Sequence, residues 1–395
     1  MRRTRRGFFD VLTRERSSGA AAWMSARGHE AYVAELQTHG RNARPPLPPG
    51  VNEIRISSNE NPLGPGPKVL EAMTREFPDA GRYPFNSTPA DRNLVEAIAA
   101  HHKVTPGNVT LGAGSQEILK NAVRAFTSPE RGLVTATPTF ENPTNIARRL
   151  GHPVKEVRVD PAFRLDLGGM IAAAPGAGLV FFNNPNNPTA TVHSATAVTD
   201  FVERVRAASP GTVILIDEAY HEYVTDPAYA TAVPLALAAP GVLAVRTFSK
   251  AYGMAGMRIG YAIAHADTIR QLARFKMPYN VSGFGVAAAM AALADPAHIE
   301  AERTRNTGVR AFTVKALEDL GCKCTASEGN FLFADLHGPA RAFRDACAGQ
   351  GVMVGRDFPP FEQTHARISI GTMDEMRRAV DVFRAVLKPT VSAGR

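Results

Sequence analysis

Residues 247–263 read TFSKAYGMAGMRIGYAI: an apolar run enters, Lys250 follows a serine, a turn of small residues comes next, and Arg258 precedes a second apolar run. A strand reaching toward Thr247 and another starting at Ile259 set Lys250 on the turn that leaves a buried strand. There its amine is partly withdrawn from water and has a cationic neighbour, two influences that lower an amine pKa and make it a nucleophile. Such an amine condenses with carbonyl compounds. Thr247, Ser249 and Arg258 add two hydroxyls and a rigid guanidinium fork suited to a phosphate.

Working outward, residues 88–285 alternate helical periodicity with short apolar runs at 108–111, 132–136, 154–159, 178–182, 213–216, 242–246 and 259–264. Strands alternating with helices predict an α/β large domain, a mostly parallel seven-stranded sheet covered on both faces, with the last strand free to run antiparallel. Residues 286–395 read helix, strand at 330–334, helix, strand at 367–370 and a final helix from about Asp374. That pattern predicts a smaller α+β domain, joined by residues 54–57 from the N-terminal side. Residues 51–87 then link the small domain to the site, and residues 1–50 form a basic arm and a proline-rich linker, RPPLPPG at 44–50.

Composition narrows the class. With 395 residues, 44% hydrophobic and 21% charged, the chain has room for two packed domains and the balance of an ordinary globular protein. No apolar run is long enough to span a membrane. The net charge of +8 sits partly in the arginine-rich head, so it does not argue for a nucleic-acid partner. Thr4-Arg5-Arg6-Gly7-Phe8-Phe9 resembles a twin-arginine export signal, yet Arg14, Glu15 and Arg16 interrupt what should be an apolar stretch. A cytoplasmic protein with a basic arm is the expectation, with export left open. Cys322, Cys324 and Cys347 read as reduced structural thiols. No metal site is expected: His101 and His102 are adjacent rather than spaced along one helical face, and read as solvated helix-end residues.

In a parallel α/β sheet ligands gather at the carboxyl ends of the strands, so the turns there are where chemistry belongs. Gly112-Ala113-Gly114-Ser115-Gln116-Glu117 opens a helix whose free N–H groups attract an anion. Asn183-Asn184-Pro185-Asn186-Asn187-Pro188-Thr189 follows another apolar run and, by itself, reads equally as a tight turn. Asp217-Glu218-Ala219-Tyr220 ends a third, where an acid either caps the next segment or meets a cation.

Taken together the set resembles the fold-type I pyridoxal-phosphate aminotransferases of class I/II, and within them is similar to the histidinol-phosphate aminotransferases. The resemblance runs from about Ile54 to the end, through Asn-Glu-Asn-Pro at 59–62, Arg-Tyr-Pro at 82–84, Gly-Ser at 114–115, Asn-Asn-Pro-Thr at 186–189, Asp-Glu-Ala-Tyr at 217–220, Ser-Lys at 249–250 and Arg-Ile-Ser-Ile-Gly at 367–371, in the family's order. It implies that Lys250 carries pyridoxal 5'-phosphate (PLP) covalently and then shuttles the substrate proton. Asp217 would hold the proton on the pyridine nitrogen, Tyr220 and Asn187 would bond the phenolic oxygen, and Phe140 would stack on the ring. Gly114, Ser115, Gln116, Thr247, Ser249 and Arg258 would hold the phosphate, with Tyr83 reaching in from the second subunit of a homodimer. Asn59, Asn330, Arg356 and Arg367 would meet the substrate, Arg367 through an α-carboxylate or a phosphate.

The implied reaction moves an amino group from histidinol phosphate, or from an aromatic or other amino acid, to a 2-oxo acid such as 2-oxoglutarate. Two departures bear on the donor. Leu63 stands where an aromatic residue usually follows Asn-Glu-Asn-Pro, and Gly355 separates the run at 351–354 from Arg356, which leads into Phe358-Pro359-Pro360-Phe361. A PLP-dependent lyase or decarboxylase would use the same Lys250 and Asp217, and a specialised biosynthetic aminotransferase fits too. A nucleotide-binding module leaves Lys250 without a task.

Overall fold

The computed structural model describes residues 53–83 and 90–387. The basic arm, its export-like head and the proline-rich linker lie outside the described residues.

The strands are β1 (Ile54–Ile56), β2 (Val109–Ala113), β3 (Leu133–Thr137), β4 (Val154–Arg158), β5 (Leu179–Asn183), β6 (Val213–Asp217), β7 (Val242–Thr247), β8 (Ile259–Ala264), β9 (Phe331–Asp335), β10 (Val352–Val354) and β11 (His365–Ser369). Seven of them form one sheet in the order β2-β8-β7-β6-β5-β3-β4. β8 runs antiparallel to both its neighbours, and the remaining pairs are parallel. The mostly parallel sheet explains the near-continuous apolar runs: helices cover both faces, so alternate residues have no watered side to meet. Along β5 every residue is buried.

Strand side chains alternate between the two faces. Leu215, Val245 and Ala262 pack with Ile118, Leu119 and Ala122 of the helix Ser115–Phe126. Ile214, Ile216, Ala244 and Tyr261 pack on the other face with Leu94 and Ile98 of the helix Ala90–His102, and with Val286 and Ala289 of the helix Gly283–Leu293. By this alternation Asp217 and Thr247 continue the first face and Arg246 the second. β2, β3, β5, β6 and β7 each run slightly past the apolar stretch that announced them, so polar Thr137, Asn183, Asp217 and Thr247 end buried strands side by side. Asn183 is the register partner of Asp217.

A second core gathers Ile54, Ile56, Leu332, Val352, Val354, Ile368 and Phe383. β1 pairs in parallel with β10, Ile54 against Val352, and β9 pairs antiparallel with β11. β10 is a strand where the sequence showed only a Gly-x-x-Val run. The 23-residue helix Pro296–Glu318 joins the cores: Ile299 packs against the sheet, while Val309 and Leu317 lie in the second core. His102 departs from the sequence expectation. It is half-buried, with Nε2 3.0 Å from the Tyr261 hydroxyl, because its helix ends over β8 rather than in solvent.

Candidate active site

The ends of β6 and β7 bring an acid and an amine to one place. Asp217 is 3% exposed, and its Oδ1 has no hydrogen-bond partner among the described residues. Burial, opposed by the Ala219 N–H and helped by Glu218, pushes its pKa up to about 7. An orphaned carboxylate oxygen at the bottom of a cleft calls for a donor. Lys250 is half-buried and its Nζ donates to the Ser58 carbonyl at 3.1 Å. Burial, then the charges of Arg367 and Arg258, brings its pKa down to about 8 despite Glu60 and Asp217. The amine lies 5.6 Å from the centre of the Tyr220 ring.

One flank is built to receive an anion. The helix Ser115–Phe126 starts directly after Gly114, whose φ is +73° and whose missing side chain leaves room for a guanidinium: a Cβ there would lie 2.2 Å from Arg258 Nη2. Arg258 Nη1 donates to Ser249 Oγ at 3.3 Å, and Thr247 Oγ1 to the same oxygen at 2.9 Å. Thus Gly114 meets Arg258, and the Ser115 N–H lies beside Gly260, the register partner of Thr247, while Gln116, next in the helix, is exposed. First-turn N–H groups, two hydroxyls and a guanidinium make a phosphate cradle.

The other flank joins the two cores. Asn59, fully buried at φ +53°, donates through Nδ2 to the Tyr220 hydroxyl at 3.0 Å, while Ser369 Oγ donates to Asn59 Oδ1 at 2.7 Å. Burial raises the Tyr220 pKa to about 12, although Arg367 and the Asn59 bond oppose it. Arg367 donates through Nη1 to Asn187 Oδ1 at 2.9 Å and through Nη2 to the Ser57 carbonyl at 2.5 Å, leaving its buried Nε without a partner among the described residues. Asn330 donates to the Asn59 carbonyl at 3.0 Å, and its own carbonyl oxygen is buried without a partner there.

Three residues named from the sequence make their contacts with other groups. Phe140 is half-buried against the first-face core. Arg356 is paired with Glu141 and lies 4.2 Å over the Phe358 ring. Tyr83 is 68% exposed, its ring 5.2 Å from that of Tyr279. Sequence reasoning missed Ser369, the Ser57 and Ser58 carbonyls and Phe358, which is 3% exposed and carries Arg367 at 4.8 Å as well as Arg356. The aromatic-proline run at 358–361 was the available hint.

The family model for aminotransferase class I and II matches residues 51–383. The chain belongs to that family. This aminotransferase is 35% identical to histidinol-phosphate aminotransferase of Moorella thermoacetica over 85% of each chain, and 36% identical to histidinol-phosphate aminotransferase 2 of Methylococcus capsulatus over 85% of this chain and 89% of the relative. The crystal structure of histidinol-phosphate aminotransferase from Sinorhizobium meliloti in complex with pyridoxal-5'-phosphate superposes with a TM-score of 0.80 at 27% identity, covering 95% of this chain and 96% of that one. The cofactor of this aminotransferase is PLP. The cleft fits it: Asp217 Oδ1 lacks a donor, the Gly114 and Arg258 cradle suits a phosphate, and the Lys250 amine is depressed toward its neutral form.

Proposed function

We propose that the aminotransferase takes histidinol phosphate as amino donor and a 2-oxo acid such as 2-oxoglutarate as acceptor, with the residues above in the following roles. PLP, when bound, supplies an electron sink for the pair left at the donor Cα. Lys250 binds the cofactor and moves the proton at Cα, a task suited to an amine whose pKa is about 8. Asp217 holds the ring nitrogen's proton through the oxygen that is now without a donor. Asn187 and Tyr220, the latter fixed by Asn59, orient the phenolic oxygen, and Phe140 covers the ring. Gly114, Ser115, Gln116, Thr247, Ser249 and Arg258 hold the phosphate. Arg367 receives an anionic group of the substrate, and Asn330 braces the strand entry beside it.

The observation that carries this reading is the convergence of Lys250, Asp217 and Arg367 on one cleft with a separate anion cradle opposite. The identities to histidinol-phosphate aminotransferases support the donor. A homodimer is supported by an exposed apolar strip along Phe77, Tyr83, Met277 and Tyr279, in which Phe77 lies 5.4 Å from Phe284; Tyr83 sits in that strip and would enter the partner's site.

A second donor reading rests on Arg356. It is tied to Glu141 and stacked on Phe358, and the Phe358 ring, which also carries Arg367 at 4.8 Å, sets an aromatic group beside that arginine that suits an aromatic amino acid. The test is spectral. Holoenzyme is mixed separately with histidinol phosphate, phenylalanine and glutamate, and bleaching of the visible band of the lysine-bound cofactor names the donor. A band bleached by phenylalanine and not by histidinol phosphate overturns the first reading. A Lys250→Ala variant that shows the same band as wild type overturns the assignment of Lys250.

A further inference from the structure

On the sheet face opposite Asp217 and Thr247, a cavity of about 540 Å³ opens between the end of the helix Ala90–His102, the turn after β6 and the start of the helix Pro296–Glu318. Two charged side chains are buried in its wall, Arg246 at 4% and Glu222 at 8% exposure. Glu222 Oε1 meets Arg246 Nη1 at 3.5 Å, and Oε2 is buried with no partner among the described residues.

The charges around that oxygen do not balance. Arg246 is committed to Glu218, Nε to Oε2 at 2.7 Å, so one guanidinium serves two buried carboxyls, and burial, only partly opposed by Arg246, pushes the Glu222 pKa up to about 7. At the rim Glu300 and Arg303 pair with each other, and Asp226 adds a further acid. His102 and His221 do not supply the missing positive charge. Burial first, then Arg246, lowers their pKa values to about 3 and about 2, which leaves the imidazoles neutral. Burial of an unpaired carboxylate is costly, and a hydrogen-bonding cation relieves it.

The remaining walls say what shape that cation has. Leu293 and Ile299 present an apolar side, and the rings of Tyr229 and Tyr252 line the cavity beside them. Aromatic faces attract cations, and flat rings pack between aromatic and aliphatic walls. The volume exceeds what a single ion fills, and among the described residues no group of three or more His, Cys, Asp or Glu could hold a metal ion.

We propose that this cavity is a second ligand site, separate from the PLP cleft, that takes a small organic cation in which a planar amidinium, guanidinium or imidazolium group meets Glu222 and a flat apolar body lies against Leu293 and Ile299.

Benzamidine serves as probe, because it has that shape and no amine with which to compete for PLP, and benzamide is its neutral counterpart. Calorimetric titration of the holoenzyme is expected to show one benzamidine per chain, with benzamide bound at least about tenfold more weakly. Glu222→Gln should remove that preference while leaving turnover and the cofactor spectrum as in wild type. Leu293→Trp, which fills the cavity from its apolar side without touching the charges, should abolish binding of both. Equal affinity for the two probes, or a benzamidine affinity that neither variant changes, overturns the proposal.

Discussion

Arg246 Nε lies 2.7 Å from Glu218 Oε2, and the two side chains are 4% and 1% exposed. The pair locks the end of β7 to the turn that carries Tyr220, with Glu218 also accepting from the Ala232 N–H and Thr231 Oγ1. Removing one member strands a buried charge, so Arg246→Met or Glu218→Ala is expected to lower stability by about 3–5 kcal/mol. The double variant Arg246→Met with Glu218→Ala should cost less than the sum, which urea denaturation of the four proteins will show. Additive losses would mean that the two side chains are not coupled.

The Asp217 carboxyl keeps its proton to about pH 7 in the fold, against 3.8 for an unperturbed group. Between those values the cofactor-free native state binds more protons than the unfolded chain, so this residue's contribution to stability falls as pH rises from about 4 to about 7 and is then constant. Asparagine carries no such dependence. Cofactor-free Asp217→Asn should therefore be more stable than wild type at pH 8, by on the order of 2 kcal/mol, and the advantage should shrink toward pH 5. In the holoenzyme the same variant should lose most activity. A thermal-denaturation series across pH that shows a constant offset would contradict the shift.

Gly114 combines a left-handed backbone with a guanidinium in the space a side chain would need. Gly114→Ala both strains the turn and displaces Arg258 from the helix start. PLP affinity, followed by fluorescence as the cofactor is added to cofactor-free protein, should fall about 10-fold to 100-fold. The far-ultraviolet spectrum should stay unchanged.

Phe77, at 64% exposure, and Tyr279, at 61%, contribute nothing to either core. Phe77→Asp combined with Tyr279→Asp should leave the fold of each chain intact and convert the proposed homodimer to monomers in light scattering after size exclusion. Loss of activity together with dissociation would be expected, since Tyr83 would no longer reach a neighbouring site. A variant that remains dimeric removes this strip from the interface.

Much of the architecture was legible because the large sheet is local in sequence: each apolar run meets its helix before the next strand begins, and burial on both faces makes the runs continuous. The residues at strand ends were legible for the same reason, since Asp217, Thr247 and Lys250 sit where buried strands stop. β10 was not, because three residues of strand have no periodicity of their own and are defined by pairing with β1. Ser369, Phe358 and Glu141 were hidden likewise. Nothing near Ser369 in sequence hints at Asn59, and the Phe358 ring acquires its place between Arg356 and Arg367 only when the chain is folded. His102 looked like a surface residue because helix periodicity does not reveal that Tyr261 waits beneath it.

The pairing of Ile54 with Val352 makes the first described strand and one of the last into neighbours. A ribosome releases them far apart in time. The second core thus cannot close during synthesis of the sheet, and Ile54 and Ile56 stay without their partners until β10 has emerged. Asn59 and Ser58, a few residues along, are held open for as long. The cleft that fixes Tyr220 and Lys250 consequently lacks part of its wall until β10 and β11, with Arg367 and Ser369, have emerged.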